Sequence, residues 1–249
     1  MPFAMHRGQR IHYTVEGSGP LVVLQHGLLL DAASWKTSGI ADALATDFRV
    51  ACIDSLGHGF SDKPVEPQFY EQEQRAGDIV AVIDDLGYAR AHLVGHSMGG
   101  WLSVGVAKYY PERLLSLAVG GWDLLDGLAP GPKGPLSFDF FMRFTNRVAP
   151  APTRWVTPEA LPGLRACFDA LDQLSGAREA VLNAAFPVLL WDGRDDPSHA
   201  AMKTFAADAG FSFLSTDGDH LGVLFRYGFE SAEGILAFLR AEPVATTVP

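Results

Sequence analysis

The sequence predicts an α/β fold built on a mostly parallel sheet flanked by helices, and three observations carry that reading. Short apolar runs without alternation, such as Leu21 to Leu24 and Arg49 to Ile53, have the character of strands buried on both faces. Stretches with apolar residues at helical spacing lie between such runs, as in Glu71 to Leu86 with Ile79, Val82, Ile83 and Leu86. The alternation of strand and helix implies parallel βαβ units. A length of 249 residues suits one full-sized domain carrying an insertion.

In order along the chain, Gln9 to Glu16 alternates like a strand, and Gly17-Ser18-Gly19-Pro20 turns it into the buried strand Leu21 to Leu24. Ile40 to Ala45 reads as helix, Arg49 to Ile53 as strand, and Glu71 to Leu86 as a helix stopped by Gly87. Ala91 to Val94 is the next strand, Trp101 to Tyr109 a helix closed by Pro111, and Leu114 to Val119 another strand. The rhythm returns with Val188 to Trp191 as strand, Ala200 to Ala209 as helix, Phe211 to Leu214 as strand and Glu230 to Arg240 as helix.

Between Trp122 and Phe186 the alternation fails. Pro130, Pro132, Pro135, Pro150, Pro152, Pro158 and Pro162 punctuate two short helical stretches, about Ser137 to Arg147 and Pro158 to Leu174. The expected division is a core of residues 1–121 and 187–241, a small helical insertion over 122–186 and a disordered tail at 242–249. The aromatic face of the insertion (Phe138, Phe140, Phe141, Phe144, Trp155, Phe168) reads mainly as packing, since an amphipathic helix has to bury something.

The formal charge of -10 repels phosphate backbones, and no Lys/Arg run offsets it, so nucleic acid is not an expected partner. Highly anionic substrates gain nothing from long-range steering, although a local pocket overrides net charge. Met1 to Arg10 has no apolar signal region and no run approaches a membrane span, which makes the cytoplasm the simplest address. Cys52 and Cys167 stand far apart and read as free thiols.

Leu93-Val94-Gly95-His96-Ser97-Met98-Gly99-Gly100 places Gly-x-Ser-x-Gly between a strand and a helix, the setting of a nucleophile elbow. The flanking glycines allow a tight turn that pushes Ser97 out at the carboxyl edge of the sheet, against the start of the following helix. A serine hydroxyl needs a base, and the base needs an orienting group. Of the eight histidines, His220 lies just past the last apolar strand, where a loop reaches the same edge; His58 is its rival, in a glycine turn. For the acid, Asp192, Asp195 and Asp196 all follow the strand Val188 to Trp191, with Asp123 a fainter alternative. The order Ser97, Asp196, His220 fits a Ser, Asp, His succession. Two backbone donors for an oxyanion are available in the N–H groups of Met98 and of Leu28, the latter in the loop Gln25-His26-Gly27-Leu28.

Together these features resemble the α/β-hydrolase family over nearly the whole chain, on His26-Gly27, the loop Asp54-x-x-Gly57-x-Gly59-x-Ser61, the elbow at Ser97, Gly193-x-x-Asp196 and the late His220. The resemblance implies a mostly parallel eight-stranded sheet with a cap inserted after strand six, and an acid three residues after the glycine, which ranks Asp196 above Asp195. The stretch after Asp196 lacks the Val-Pro common in relatives. Serine at the elbow sets the chain apart from haloalkane dehalogenase and epoxide hydrolase relatives, whose elbows carry Asp.

The expected activity is therefore serine hydrolysis of a small to medium apolar ester or lactone, with water as the second substrate and no cofactor or metal. Leu28, Leu29 and Leu30 with Trp35, Trp122, Leu221 and Val223 predict an apolar pocket, to which Phe141 of the insertion is added. The alternatives are a carbon–carbon bond hydrolase or perhydrolase-like member, and a small-molecule receptor with vestigial hydrolysis.

Overall fold

The computed structural model describes residues 1–131, 134–148, 150, 153 and 155–241. The strands are β1 (Phe3–His6), β2 (Gln9–Gly17), β3 (Leu21–Gln25), β4 (Arg49–Ile53), β5 (Ala91–His96), β6 (Leu114–Gly120), β7 (Val188–Gly193) and β8 (Ser212–Thr216). They form an eight-stranded sheet in the order β1-β2-β4-β3-β5-β6-β7-β8. β1 and β2 pair antiparallel with each other, and β2 with β4, while β4 through β8 are parallel.

Burial on both faces explains why the central strands read as continuous apolar runs. In β3, Leu21 and Val23 enter one core and Val22 and Leu24 the other; in β4 the same division separates Ala51 and Ile53 from Val50 and Cys52. The first core is closed by α3 (Gln72–Asp85), α4 (Met98–Tyr109) and α8 (His199–Ala209), the second by α1 (Ala33–Thr37), α2 (Ile40–Leu44), α9 (Gly222–Phe225) and α10 (Gly228–Ala241).

Between β6 and β7 lie α5 (Phe138–Val148), α6 (Leu161–Asp169) and α7 (Ala177–Leu182). The expected helix from Pro158 to Leu174 is split, with 3-10 turns at Pro158–Ala160 and Ala170–Asp172 on either side of α6. Pro162 falls in the first turn of α6, where its missing N–H costs nothing. The short strand β1 and the helices α1, α7 and α9 were not expected; none is long enough to establish a period of its own. The expected tail at 242–249, and Pro132 and Pro152, lie outside the described residues. Among those residues no helix is long and apolar enough to cross a membrane, and both cysteines are free and buried.

One buried carboxylate organises the loop after β4. Asp54 accepts hydrogen bonds from the Ala32 N–H at 2.7 Å, the Phe60 N–H at 2.9 Å and the His12 ring at 2.7 Å. Gly59, at φ 47, lies so close that a Cβ would run into the carboxylate. Asp54→Ala orphans three donors, two of them in buried residues, and is expected to lower unfolding stability by about 3 kcal/mol or more, measured by urea denaturation. A loss under about 1 kcal/mol would contradict this account.

Candidate active site

The parallel register brings five loops to one edge. Gln25 stands beside Gly95, His96 beside Gly120, Gly120 beside Trp191 and Gly193 beside Thr216, so the chain after β3, β5, β6, β7 and β8 emerges side by side. Ser97 occupies a sharp turn among these, at φ 58 and ψ -123, with its N–H bonded to the Gly120 carbonyl at 2.8 Å. The turn is possible because Gly95 and Gly99 have no side chain: a Cβ on Gly99 would run into the Gln25 carbonyl, and one on Gly95 into that of Gly99.

Past β7 and β8 the two loops are stitched together by Arg194 N–H to Thr216 O at 2.9 Å and Asp195 N–H to Gly218 O at 3.0 Å. This brings Asp196 to His220, whose Nδ1 lies 2.8 Å from Asp196 Oδ2. Asp196 is buried; Asp195 is exposed. Asp123 spends its carboxylate on the N–H groups of Leu125 and Asp126 in a turn of its own. His58 is buried, with Nε2 accepting from the Leu29 N–H at 3.3 Å and Nδ1 3.2 Å from the Leu56 carbonyl, which makes it a brace for the loop after β3.

His220 lies against the elbow. Its ring centroid is 4.8 Å from that of His96, and a Cβ on Gly121 would lie 3.0 Å from His220 Cε1. A Cβ on Gly27 would lie 3.1 Å from that of Ser97, so the loop after β3 also reaches the serine. Among the described residues neither the Leu28 nor the Met98 N–H donates to a protein acceptor. His26 holds this loop in place, with Nε2 accepting from the Ser55 N–H at 3.0 Å and Nδ1 2.8 Å from the Gly27 carbonyl.

Burial pushes the His220 imidazolium down, but the hydrogen bond and charge of Asp196 outweigh it and raise its pKa above the ordinary value. Asp196 shows the converse: burial raises it, while the His220 bond and charge and the Ser198 donors hold it well below the usual carboxylate range. His96 is fully buried, with neither ring nitrogen hydrogen-bonded among the described residues; burial, then the His220 charge, keeps it neutral.

A further carboxylate stands behind the pair. Asp192 accepts from the Gly121 N–H at 2.9 Å and from the Ser198 hydroxyl at 3.0 Å, and that hydroxyl also lies 2.8 Å from Asp196 Oδ1. Burial and the neighbouring Asp196 push Asp192 up to about 7. The sequence offers Asp192 as a candidate acid, but carries no signal for the Ser198 bridge.

The expected pocket residues divide. Leu29 is buried in the first core at φ 67, and Trp122 packs there against Gly100. Phe141 lies 5.8 Å from the Phe168 ring in the segment between β6 and β7, and Leu221 caps α9. Trp35, at 1% exposure, packs in the second core with Val22, Leu24 and Ile40. Trp155, read as packing, also makes a polar contact: its Nε1 donates to the Leu29 carbonyl at 3.1 Å and its ring lies 5.4 Å from that of His58.

The sheet order, the turn at Ser97 and the late histidine define the α/β-hydrolase fold. The chain belongs to the alpha/beta hydrolase fold family, which it matches over residues 20–155. It is 39% identical over 111 residues to the bifunctional epoxide hydrolase 2 of Sus scrofa, a match covering 45% of this chain and 20% of that protein. It is 38% identical over 112 residues to a fluoroacetate dehalogenase of Burkholderia sp, covering 44% and 36%. The matched segment thus spans well under half the length of either relative. Among solved structures, an enol-lactonase from Burkholderia xenovorans LB400 shares the fold with a TM-score of 0.78 at 24% identity, over 96% of this chain and 100% of that one.

Asp192 titrates in the folded protein far above an unfolded Asp, so the folded state holds an extra proton between about pH 4 and 7 and loses stability as pH rises through that window. Asp192→Asn removes this contribution, and its stability relative to wild type is expected to increase from pH 4 to pH 8 in paired thermal melts. A difference that stays constant with pH would contradict the assignment.

Proposed function

We propose that this chain is a serine hydrolase cleaving carboxylic esters or lactones of small to medium apolar character through an acyl-enzyme. The reading is carried by the 2.8 Å bond between His220 and Asp196 at the sheet edge where Ser97 turns outward. Serine at the elbow favours this chemistry over that named for the epoxide hydrolase and dehalogenase relatives. His220 takes the Ser97 proton through Nε2 as the oxygen attacks the carbonyl carbon, while Asp196 fixes the ring through Nδ1 and stabilises the imidazolium. The N–H groups of Leu28 and Met98 hold the oxyanion. His220 returns the proton to the departing alkoxide, and a water activated by the same base releases the acid. The segment 122–186 acts as the cap over this site. Leu29, Trp122, Phe141 and Leu221 form its apolar walls.

Ser97→Ala is expected to cut turnover of p-nitrophenyl acetate and butyrate by about 10⁴-fold or more with an unchanged melting temperature. Near wild-type turnover in the purified variant would sink the proposal.

Because His220 acts only when neutral, kcat/KM is expected to rise with pH along a limb centred above about 6.5, the unperturbed histidine value. Asp196→Asn is expected to move that limb to lower pH, since the two strongest influences that raise the imidazolium are lost and burial is opposed only by the charges of Asp192 and Asp219. A limb that does not move would assign it to another group.

A further inference from the structure

Arg75 is a fully buried cation without a counterion. It lies in α3 at 1% exposure, and among the described residues no carboxylate comes within salt-bridge distance of it. Its terminal nitrogens reach only the Met98 thioether, at 3.5 and 3.4 Å, and the guanidinium carbon lies 5.9 Å from the Tyr70 ring centroid and 6.0 Å from that of Trp101. A thioether is a weak acceptor, and ring faces at that distance are at the limit of useful attraction.

Neighbouring polar groups do not reach it. Asp78, one turn on, receives Arg7 at 2.8 Å and His6 at 2.7 Å on Oδ1 alone; its buried Oδ2 has no partner among the described residues, yet the carboxylate stays outside salt-bridge distance of Arg75. Tyr70 donates to the Pro64 carbonyl at 2.6 Å, and Gln72 to that of Trp101 at 2.9 Å. Taking a guanidinium out of water unpaired costs several kcal/mol. This cost falls beside Met98, the residue that follows the elbow serine, and the Arg75 charge adds to burial in lowering the pKa values of His26 and His58 beneath the loop after β3.

We propose that Arg75 recognises a carboxylate on the acyl portion of the substrate, so that the site takes half-esters or lactones of dicarboxylic acids. The planar guanidinium donates two hydrogen bonds to a carboxylate, and the unbranched Met98 side chain, buried against it in the first core, moves aside. The reading rests on the Ser97 hydrolase assignment for its catalytic part and on Arg75 alone for its binding part. A protein of net charge -10 gives an anion no long-range help, so recognition has to come from a local cation of this kind.

The test compares wild type, Arg75→Met and Arg75→Lys on p-nitrophenyl butyrate and on the mono-p-nitrophenyl esters of succinate, glutarate and adipate. Wild type is expected to favour at least one half-ester over butyrate in kcat/KM. The half-ester to butyrate ratio is expected to fall roughly tenfold to a hundredfold in Arg75→Met, the range of a hydrogen bond to a charged group, with part of the preference kept in Arg75→Lys. In parallel, isothermal titration of Ser97→Ala with glutarate is expected to show binding that the Ser97→Ala, Arg75→Met double variant loses. An Arg75-dependent titration in a chain that turns over no ester would retain the carboxylate site and reject the hydrolase assignment. An unchanged ratio together with unchanged glutarate affinity, whether or not the melting temperature of Arg75→Met falls, would make Arg75 a packing residue and overturn the proposal.

Discussion

The backbone at Ser97 sits in a conformation that a residue with a side chain occupies only at a cost, on the order of 1 to 3 kcal/mol. The surrounding structure has to over-determine that turn, and it does so by close approach of backbone. Gly95 packs on the Gly99 carbonyl and Gly99 on the Gln25 carbonyl, with no space for a methyl group at either position. β3, β5 and α4 are therefore locked together at the point where the serine emerges. Because β3 and β6 both pair with β5, any shift at the elbow is transmitted to the loops after Gln25 and after Gly120.

The same edge concentrates buried charge, and its arrangement separates three carboxyl groups only a few residues apart. Asp196 faces a cation-forming partner in His220 and stays ionised. Asp192 faces the carboxylate of Asp196 through the Ser198 hydroxyl and is driven toward neutrality at about pH 7. Asp195 is in solvent. Two carboxylates sharing one bridging hydroxyl do not both ionise cheaply, so Asp192, which lacks the direct histidine partner that Asp196 has, is the one pushed up.

These environments explain what was legible from the sequence. The central strands were legible because burial on both faces leaves only apolar residues in them, and the elbow because its geometry forces glycine two positions either side of Ser97. The choice among Asp192, Asp195 and Asp196 was not a local matter: it depends on how the loops after β7 and β8 are stitched, and only the family's glycine-to-acid offset pointed to Asp196. Which core Trp35 enters is not legible, because a five-residue helix does not establish a face of its own. Arg75 left a signal that was not used. It stands four residues before Ile79 and eight before Ile83, on the buried stripe of α3, where a charged residue is out of place.

Leu29 joins the two halves of the molecule. Its N–H is held from below by His58 and its carbonyl from above by Trp155, which the chain supplies from the segment between β6 and β7. At φ 67 this residue, like Ser97, is in a conformation that needs support, and the peptide on its N-terminal side belongs to Leu28. Releasing the indole would leave the Leu29 carbonyl with one partner fewer and the strained peptide free to relax. The placement of Trp155 and the conformation of the Leu28–Leu29 peptide are therefore coupled. Under the serine-hydrolase proposal, in which the Leu28 N–H receives the oxyanion, this linkage ties that donor to the segment that carries Trp155.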